Sequence, residues 1–282
     1  MRLEQSSDRR VASTFSKTLC GIAGYSLGLD SRVERTVAAR ALLAGIAERG
    51  ADAVGYAHRS PEEPVSVHKQ RSGASALLEE ITVPQSATEV LVHVRDYTKG
   101  HPTIAANNHP IRHGAVVGIH NGIIFNDDEL LADHDCARRE PGMTVDSEAI
   151  FAVAAHSEGD AEALEALRGS MATAWIDERR KHSISVARGV GRPVWLGAHD
   201  EAVFFASTKV ALEVVERFLG LELRMGELDE GTLVQLELGR ETSRKRFNLD
   251  RRFEDEPLPP VRAPKEAARC LRRLATIVAA AS

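Results

Sequence analysis

The first residue in this sequence whose type and surroundings suggest chemistry is a cysteine. Cys20 is followed by Gly21 and Gly24 in the stretch CGIAGY. Glycines beside a thiol let the backbone and a substrate approach it closely. A thiolate is a strong nucleophile, so Cys20 is a candidate for covalent catalysis. Taken alone, the residue fits a buried structural cysteine better, because free cysteine is among the most buried residue types.

A second candidate is the pair Asn121-Gly122, which directly follows the apolar run AVVGIH at 115–120. The side-chain amide of Asn121 and the backbone N–H of Gly122 are both donors that could stabilise a developing oxyanion. Taken alone, the pair is better explained as a tight turn, because Asn-Gly is a strong turn signal.

Two charged residues complete the candidate chemistry. Arg95 ends an apolar run and is followed by Thr98 and Gly100. Arginine binds a carboxylate through two parallel hydrogen bonds, so this loop could hold an amino-acid substrate, although a solvated loop is the simpler interpretation. Asp146 could accept hydrogen bonds from an α-ammonium group, cap the N-terminus of a helix, or do both.

A group of histidines raises the alternative of a zinc hydrolase. They lie close together in the sequence, at His93, His101, His109, His113 and His120. No HExxH motif occurs, and the spacings match no common set of zinc ligands. We therefore expect neither a metal site nor a cofactor.

The elements that must position these residues alternate between strands and helices. Predicted strands cover 20–25, 53–58, 65–69, 89–94, 115–120, 171–176, 182–187, 194–196, 202–205, 231–238 and 243–247. The first predicted helix has Ser31 as its N-cap and ends before Gly50. Two more helices begin at Asn126 and directly after Asp146, and the last two cover 208–218 and 267–281. Runs of strands with helices grouped between them indicate an α+β or layered fold rather than a parallel βαβ array.

Bulk properties exclude several classes of protein. The 282 residues are 43% hydrophobic and 27% charged, which is typical of a globular protein with one large or two small domains. The net charge of -5 gives no general electrostatic case for nucleic acid or an anionic membrane. Three cysteines, Cys20, Cys136 and Cys270, do not form a disulfide framework, and they suit a reducing cytoplasm.

Taken together, the segments resemble the class II glutamine amidotransferase domain, an N-terminal-nucleophile (Ntn) hydrolase found in glucosamine-6-phosphate synthase and amidophosphoribosyltransferase. The matching segments are CGIAGY at 20, RGADAVGYA at 49, HVRDYTKG at 93, NNHPI at 107, GIHNGIIFN at 118 and VDSEAI at 145. The resemblance covers residues 20–250 and implies a four-layer αββα sandwich, with two antiparallel sheets between helical layers.

The resemblance also implies roles for individual residues. Cys20 would be the nucleophile and its own α-amino group the general base, acting through a water. Asn121 and Gly122 would form the oxyanion hole, and Arg95 with Thr98 would clamp the substrate α-carboxylate. Asp146 and the Gly122 carbonyl would accept the α-ammonium group, and Arg49 would order the site.

The implied reaction converts L-glutamine into a γ-glutamyl thioester and ammonia, and then into glutamate. Two alternatives stay open: a non-catalytic regulatory or binding domain of the same fold, and an Ntn amidase that acts on another amide. The true N-terminus tests the first, and glutamine turnover tests the second.

Three features depart from the family pattern. Asp96 stands where family members often have an aromatic residue, and Lys99 occupies a position that varies. The third is that Cys20 is internal, and an amide nitrogen cannot act as a base. Residues 1–19 are therefore expected to be absent from an active enzyme, either as a propeptide or because translation starts at the codon for Leu19, read as Met and then removed.

The C-terminal part, 251–282, contains an acidic and then proline-rich stretch at 254–264, which predicts a linker. A basic amphipathic helix is predicted after it. Because no ammonia-consuming domain follows, we expect a separate synthase to receive the ammonia, with the helix either docking that partner or packing on its own domain. The acceptor, the final product and the oligomeric state are not determined by the sequence.

Overall fold

The computed structural model describes residues 20–253 and 261–281, and its strands form two antiparallel sheets. The predicted N-terminal extension and most of the predicted linker lie outside these residues. The first sheet consists of β1 (Gly21–Leu27), β2 (Ala53–Arg59), β3 (Ser66–Gln70), β4 (Glu89–Arg95), β9 (Trp195–His199), β10 (Ala202–Ala206) and β11 (Arg224–Glu227). These strands lie in the order β11-β9-β10-β1-β4-β2-β3.

The second sheet consists of β5 (Ile111–His113), β6 (Val116–Ile124), β7 (Gly169–Asp177), β8 (Ser183–Arg188), β12 (Thr232–Glu237) and β13 (Arg240–Arg246). These strands lie in the order β13-β12-β8-β7-β6-β5. The helices are α1 (Arg35–Ile46), α2 (Ala74–Leu77), α3 (Asp127–Asp133), α4 (Ser147–Ser157), α5 (Lys209–Leu219) and α6 (Pro264–Ala281). None of the described helices is long and apolar enough to cross a membrane.

Alternation along the strands sorts the side chains into three apolar layers. On β1, Ile22 faces the second sheet, whereas Ala23 and Tyr25 face the layer formed by α1, α5 and α6. On β6, Val117 and Ile119 face the first sheet, and other apolar residues of the second sheet pack against α4. The predicted four-layer αββα architecture is therefore confirmed.

Several predicted boundaries were wrong for identifiable reasons. Ser31 does not cap α1. Glu34 does, because its carboxylate accepts hydrogen bonds from the backbone N–H groups of Thr36 and Val37. Strand β6 continues through Asn121-Gly122 to Ile124, since both residues pair with β7, so this pair is not a turn. The short strands β5 and β11 were not predicted, because three or four residues carry little periodic signal.

The C-terminal helix α6 packs on its own domain. Cys270 and Leu274 are fully buried in the layer that contains α1, and Leu271, Ile277 and Val278 pack against it. Of the two expectations for this helix, docking of a partner through the apolar face is therefore wrong. Its apolar face is already covered, as is usual for surface helices.

Candidate active site

Alternation places the candidate residues in the gap between the sheets, at one end of the sandwich. Cys20 directly precedes β1 and shares the face of Ile22. Arg95 ends β4 beside the start of β1, because Gly21 pairs with Val94. Asn121 shares the face of Ile119 on β6, so the topology brings together the thiol, the guanidinium and the amide that the sequence singled out.

The Cys20 thiol is partly buried and donates a hydrogen bond to the backbone carbonyl of Asp96, at 3.4 Å. Burial raises the pKa of this thiol to about 11, and the nearby charge of Arg95 opposes the rise only in part. The sulfur is therefore protonated at neutral pH and needs a base before it can attack.

Arg49 lies next to the nucleophile, in the short 3-10 turn that follows α1. A Cβ on Gly21 would lie 3.1 Å from Cγ of Arg49, so a glycine at this position leaves room for the arginine. The Arg49 side chain is buried, and burial lowers its pKa. Its position beside the thiol agrees with the predicted ordering role, which stays a prediction.

Arg95 is the largest fully buried side chain in the described residues. Its Nη1 donates to Oδ1 of Asn108 at 2.6 Å and to the carbonyl of Asn107, and its Nη2 donates to the carbonyls of Lys99, at 2.9 Å, and Gly100. These four acceptors all belong to the loop that follows β4. Arg95 therefore orders this loop, and a substrate carboxylate could bind its Nη groups only by replacing some of these acceptors.

Unlike Arg95, Asn121 has a fully buried side chain whose polar atoms, Nδ2 and Oδ1, make no hydrogen bond to the described residues. A buried amide without partners costs about 1–3 kcal/mol, so such groups are rare unless a ligand satisfies them. The amide is thus a donor available to a substrate in the gap between the sheets.

Gly122 must be a glycine for steric reasons. Its φ is +144°, and a Cβ there would lie 1.9 Å from the carbonyl oxygen of Ser170. The backbone at this position adopts a conformation that L side chains rarely reach. The geometry that follows Asn121 on β6 therefore depends on this residue.

The buried histidines beneath the site are neutral. Nε2 of His93 lies 3.0 Å from the carbonyl of His120, and Nδ1 of His120 lies 2.9 Å from Oγ of Ser147. Burial lowers the pKa of both rings to about 3, and His109, stacked on His93 with ring centroids 4.2 Å apart, also has a lowered pKa. In the described part of the chain, no group of three or more histidine, cysteine or acidic side chains could hold a metal ion.

Asp146 precedes α4 but does not cap it through its side chain, contrary to one of the two predicted roles. Its Oδ2 instead accepts the backbone N–H of Ile124, at 2.7 Å, which ties the start of α4 to the end of β6. Burial raises its pKa to about 6, and its charge acts on the Cys20 thiol. The carboxylate therefore lies near the nucleophile, where an ammonium group could be recognised.

Sequence reasoning missed a charge network behind the loop that follows β4. Nζ of Lys99 lies 2.7 Å from both carboxylate oxygens of the buried Asp127, and Nη2 of Arg138 lies 2.6 Å from Asp127 Oδ2. Nη1 of Arg138 also donates to the carbonyl of Val145, next to Asp146. Asp127 gave no signal in the sequence, because an acidic residue in the first turn of a helix is commonplace. Thr98 lies in the same loop and is partly buried.

Comparison with known proteins agrees with this geometry. The family described as "Glutamine amidotransferase domain" matches residues 85–214. The chain is 30% identical over 222 residues to glutamine–fructose-6-phosphate aminotransferase (isomerizing) of Escherichia coli O6:H1, covering 72% of this chain and 34% of that protein. The protein of the same name from Bacillus licheniformis is 28% identical over 218 residues, with the same coverage.

Residues 85–214 are therefore similar to a glutamine amidotransferase domain. Solved structures show that the fold is shared more widely along the chain. Glutamine phosphoribosylpyrophosphate amidotransferase from B. subtilis, complexed with ADP and GMP, superposes with a TM-score of 0.61 at 18% identity, covering 80% of this chain and 49% of that chain. A structure of the allosteric regulatory enzyme of purine biosynthesis superposes with a TM-score of 0.62 at 19% identity, with the same coverage of both chains. The chain covers 34% of the length of the curated relatives that it matches.

Proposed function

We propose that this chain is a glutamine amidohydrolase that releases ammonia from L-glutamine through a thioester on Cys20. The observation that carries the proposal is the buried Asn121 amide, which has no partner among the described residues and shares the inter-sheet gap with the thiol. An acyl-transfer enzyme needs a donor of this kind where negative charge develops. The similarity to aminotransferases named for glutamine supports this choice of substrate.

In the proposed reaction, the Cys20 sulfur forms a bond to the side-chain carbonyl carbon of glutamine while its proton moves to the α-amino group of Cys20 through a water. Asn121 and the N–H of Gly122 donate to the oxyanion of the tetrahedral intermediate. The C–N bond then breaks, and the amide nitrogen takes the proton and leaves as ammonia. Water hydrolyses the γ-glutamyl thioester to glutamate and restores the thiol. This base exists only where Cys20 is the first residue.

Recognition of the substrate falls to groups around the thiol. The carboxylate of Asp146 and the carbonyl of Gly122 accept the α-ammonium group in this scheme. Arg95 and Thr98 hold the α-carboxylate, and for Arg95 this requires an exchange of loop acceptors for substrate oxygens. Arg49 holds the site in order behind Cys20.

The test compares three proteins: one that begins at Cys20, the same protein with Cys20→Ala, and the full chain with residues 1–19 intact. The first is expected to convert glutamine into glutamate and ammonia, and the other two are expected to be essentially inactive. Cys136→Ala is the matched control, because Cys136 is hydrogen-bonded to the carbonyl of His134, outside the site. Undiminished turnover in Cys20→Ala would overturn the proposal.

Two other outcomes of the same assay are informative. A full chain that turns over glutamine while intact mass shows Met1 retained would mean that the N-terminal amine is not the base. A protein beginning at Cys20 that releases ammonia from another amide but not from glutamine would identify an Ntn amidase of different specificity.

The recipient of the ammonia is a further part of the proposal. The relatives are named as aminotransferases, so nitrogen released here would be passed to an acceptor, and we propose a separate synthase in the cytoplasm. The partner cannot use the apolar face of α6, which is buried. Co-purification of a synthase with the full chain, and ammonia transfer to its acceptor, would support this; a chain that remains a stand-alone glutaminase would contradict it.

A further inference from the structure

Residues 261–263 directly precede α6, and the helix fixes this segment to the domain. Besides the buried Cys270 and Leu274, the carboxylate of Glu266 accepts a hydrogen bond from the backbone N–H of Ser75, at 3.0 Å. A Cβ on Gly73 would lie 2.4 Å from Oε2 of Glu266, which shows how closely α6 approaches the chain before α2. The start of α6 therefore has one defined position.

From this anchor, the segment reaches the candidate active site. The backbone N–H groups of Arg262 and Ala263 both donate to the carbonyl of Glu48, each at 2.8 Å, one residue before Arg49. The side chain of Arg262 then extends to Asp96, with 3.1 Å between its Nε and Asp96 Oδ2. The side chain of Asp96 is 15% exposed and that of Arg262 is 38% exposed, so water screens the pair only in part.

Asp96 is the residue whose backbone carbonyl accepts the Cys20 thiol. The backbone on either side of it is also fixed, because the carbonyl of Arg95 accepts the N–H of Asp52 at 3.0 Å, and the N–H of Tyr97 donates to Asp52 Oδ2 at 3.0 Å. The ion pair with Arg262 holds Asp96 through its side chain as well. A chain of direct contacts thus runs from α6 through Arg262 and Asp96 to the nucleophile.

We propose that Arg262 is a positioning residue for Cys20: its ion pair with Asp96 sets the carbonyl that holds the thiol, and it makes the start of α6 part of the catalytic unit. Asp96 departs from the family pattern, and the structure gives this departure a partner at the other end of the chain. The kinetic arm of the test rests on the proposed glutaminase function, whereas the thiol-reactivity arm does not.

The test uses Arg262→Met, which removes the charge but keeps an apolar stem, and Asp96→Asn, which keeps the backbone carbonyl. In the protein that begins at Cys20, each is expected to lower kcat for glutamine about fivefold, which corresponds to the loss of about 1 kcal/mol of transition-state stabilisation. KM should change less than kcat, because neither residue is assigned to the substrate. Arg262→Lys should recover part of the loss.

A double-mutant cycle isolates the contact. If the pair acts as a unit, Arg262→Met combined with Asp96→Asn costs no more than either change alone. Arg273→Met is the matched control, because Arg273 lies on α6 itself and bonds to the carbonyl of Ser75 and to Glu79, away from Cys20. This control should leave kcat unchanged.

The second readout is the alkylation rate of Cys20 by iodoacetamide in the full chain, followed by peptide mass mapping. The rate should change in Arg262→Met and in Asp96→Asn but not in Arg273→Met, with the melting temperature nearly unchanged in all three. Additive single effects, or an alkylation rate and a kcat that follow the melting temperature alone, would overturn the positioning role. A wild-type protein beginning at Cys20 that releases no ammonia would instead refute the proposed function, and the alkylation arm would still decide the positioning role.

Discussion

The loop after β4 and the end of β6 both present a buried polar side chain to the gap between the sheets, yet the two are satisfied in opposite ways. Arg95 donates to four acceptors of its own loop, whereas the amide of Asn121 has no partner among the described residues. A satisfied buried charge supports the fold, and an unsatisfied buried amide costs stability until a ligand arrives. The comparison separates a group that builds the site from one that is kept for the substrate.

The largest expected effect is on catalysis at Asn121. Asn121→Ala removes an oxyanion donor, so kcat should fall by roughly 10²–10³-fold. Stability should not fall, because the amide makes no hydrogen bond to the described residues that could be lost. Steady-state kinetics and urea unfolding measure the two effects.

Asn108→Ala is the matched comparison for that variant. Asn108 is also buried, but its Oδ1 accepts from Arg95 and its Nδ2 donates to the carbonyl of Pro102 at 2.9 Å. It should lose about 1–3 kcal/mol of unfolding free energy. If Asn121→Ala unfolds as easily as Asn108→Ala, the proposed division between the two regions fails.

Arg95→Met should have an effect of comparable size, but chiefly on stability. It leaves the acceptors of the loop without their donor, so we expect a loss of about 3–5 kcal/mol together with a raised KM for glutamine. Arg95→Lys should not rescue the protein, because an ammonium cannot reproduce a planar fork of donors. A steep rise in KM at unchanged unfolding free energy would show that Arg95 acts as a substrate clamp alone.

The third prediction concerns the pH dependence of substrate binding. Burial raises the pKa of Asp146 to about 6, and only its ionised form can pair with an α-ammonium group. KM for glutamine should therefore be constant above this pKa and rise by about tenfold per pH unit below it. Asp146→Asn should bind weakly at every pH and lose this dependence. The same slope in Asp146→Asn would assign the titration to another group.

The smallest effect is expected at Lys99. Lys99→Met removes one of the two cations on Asp127 and leaves Arg138 in place. Because Lys99 is 37% exposed, the loss should be about 1 kcal/mol of stability, with a several-fold higher KM as the loop loosens. Thermal unfolding and kinetics measure both. A KM unchanged by this substitution would mean that Arg95 alone fixes the loop.

The motifs singled out the residues that the structure places around the thiol. The four-layer architecture followed from the family resemblance, whereas the pattern of strands and helices alone indicated only an α+β or layered fold. Alternation on β1, β4 and β6 places Cys20, Arg95 and Asn121 in one gap, and that alternation is visible in the sequence. The hydrogen-bond partners of each polar side chain could not be predicted from the sequence. The partners of Arg95 lie in an irregular loop whose path depends on tertiary packing, and Asp146 bonds to Ile124 rather than to its own helix.

The cap of α1 and the ion pair of Asp96 also could not be read from the sequence. Ser31 and Glu34 are both able to cap α1, and only the folded chain shows that Glu34 does. The ion pair between Asp96 and Arg262 joins residues from distant parts of the sequence, so no local pattern could indicate it.

The defining step of the proposed mechanism is the formation of a covalent γ-glutamyl thioester on Cys20. The most direct test is to mix the protein that begins at Cys20 with glutamine, quench the reaction with acid during turnover, and measure the intact mass and the peptide masses. We expect the mass of one γ-glutamyl group on the peptide that begins at Cys20, its release by hydroxylamine, and its accumulation or loss in step with turnover. Glutamine turnover without an adduct on Cys20, or with an adduct only on Cys136 or Cys270, would contradict it.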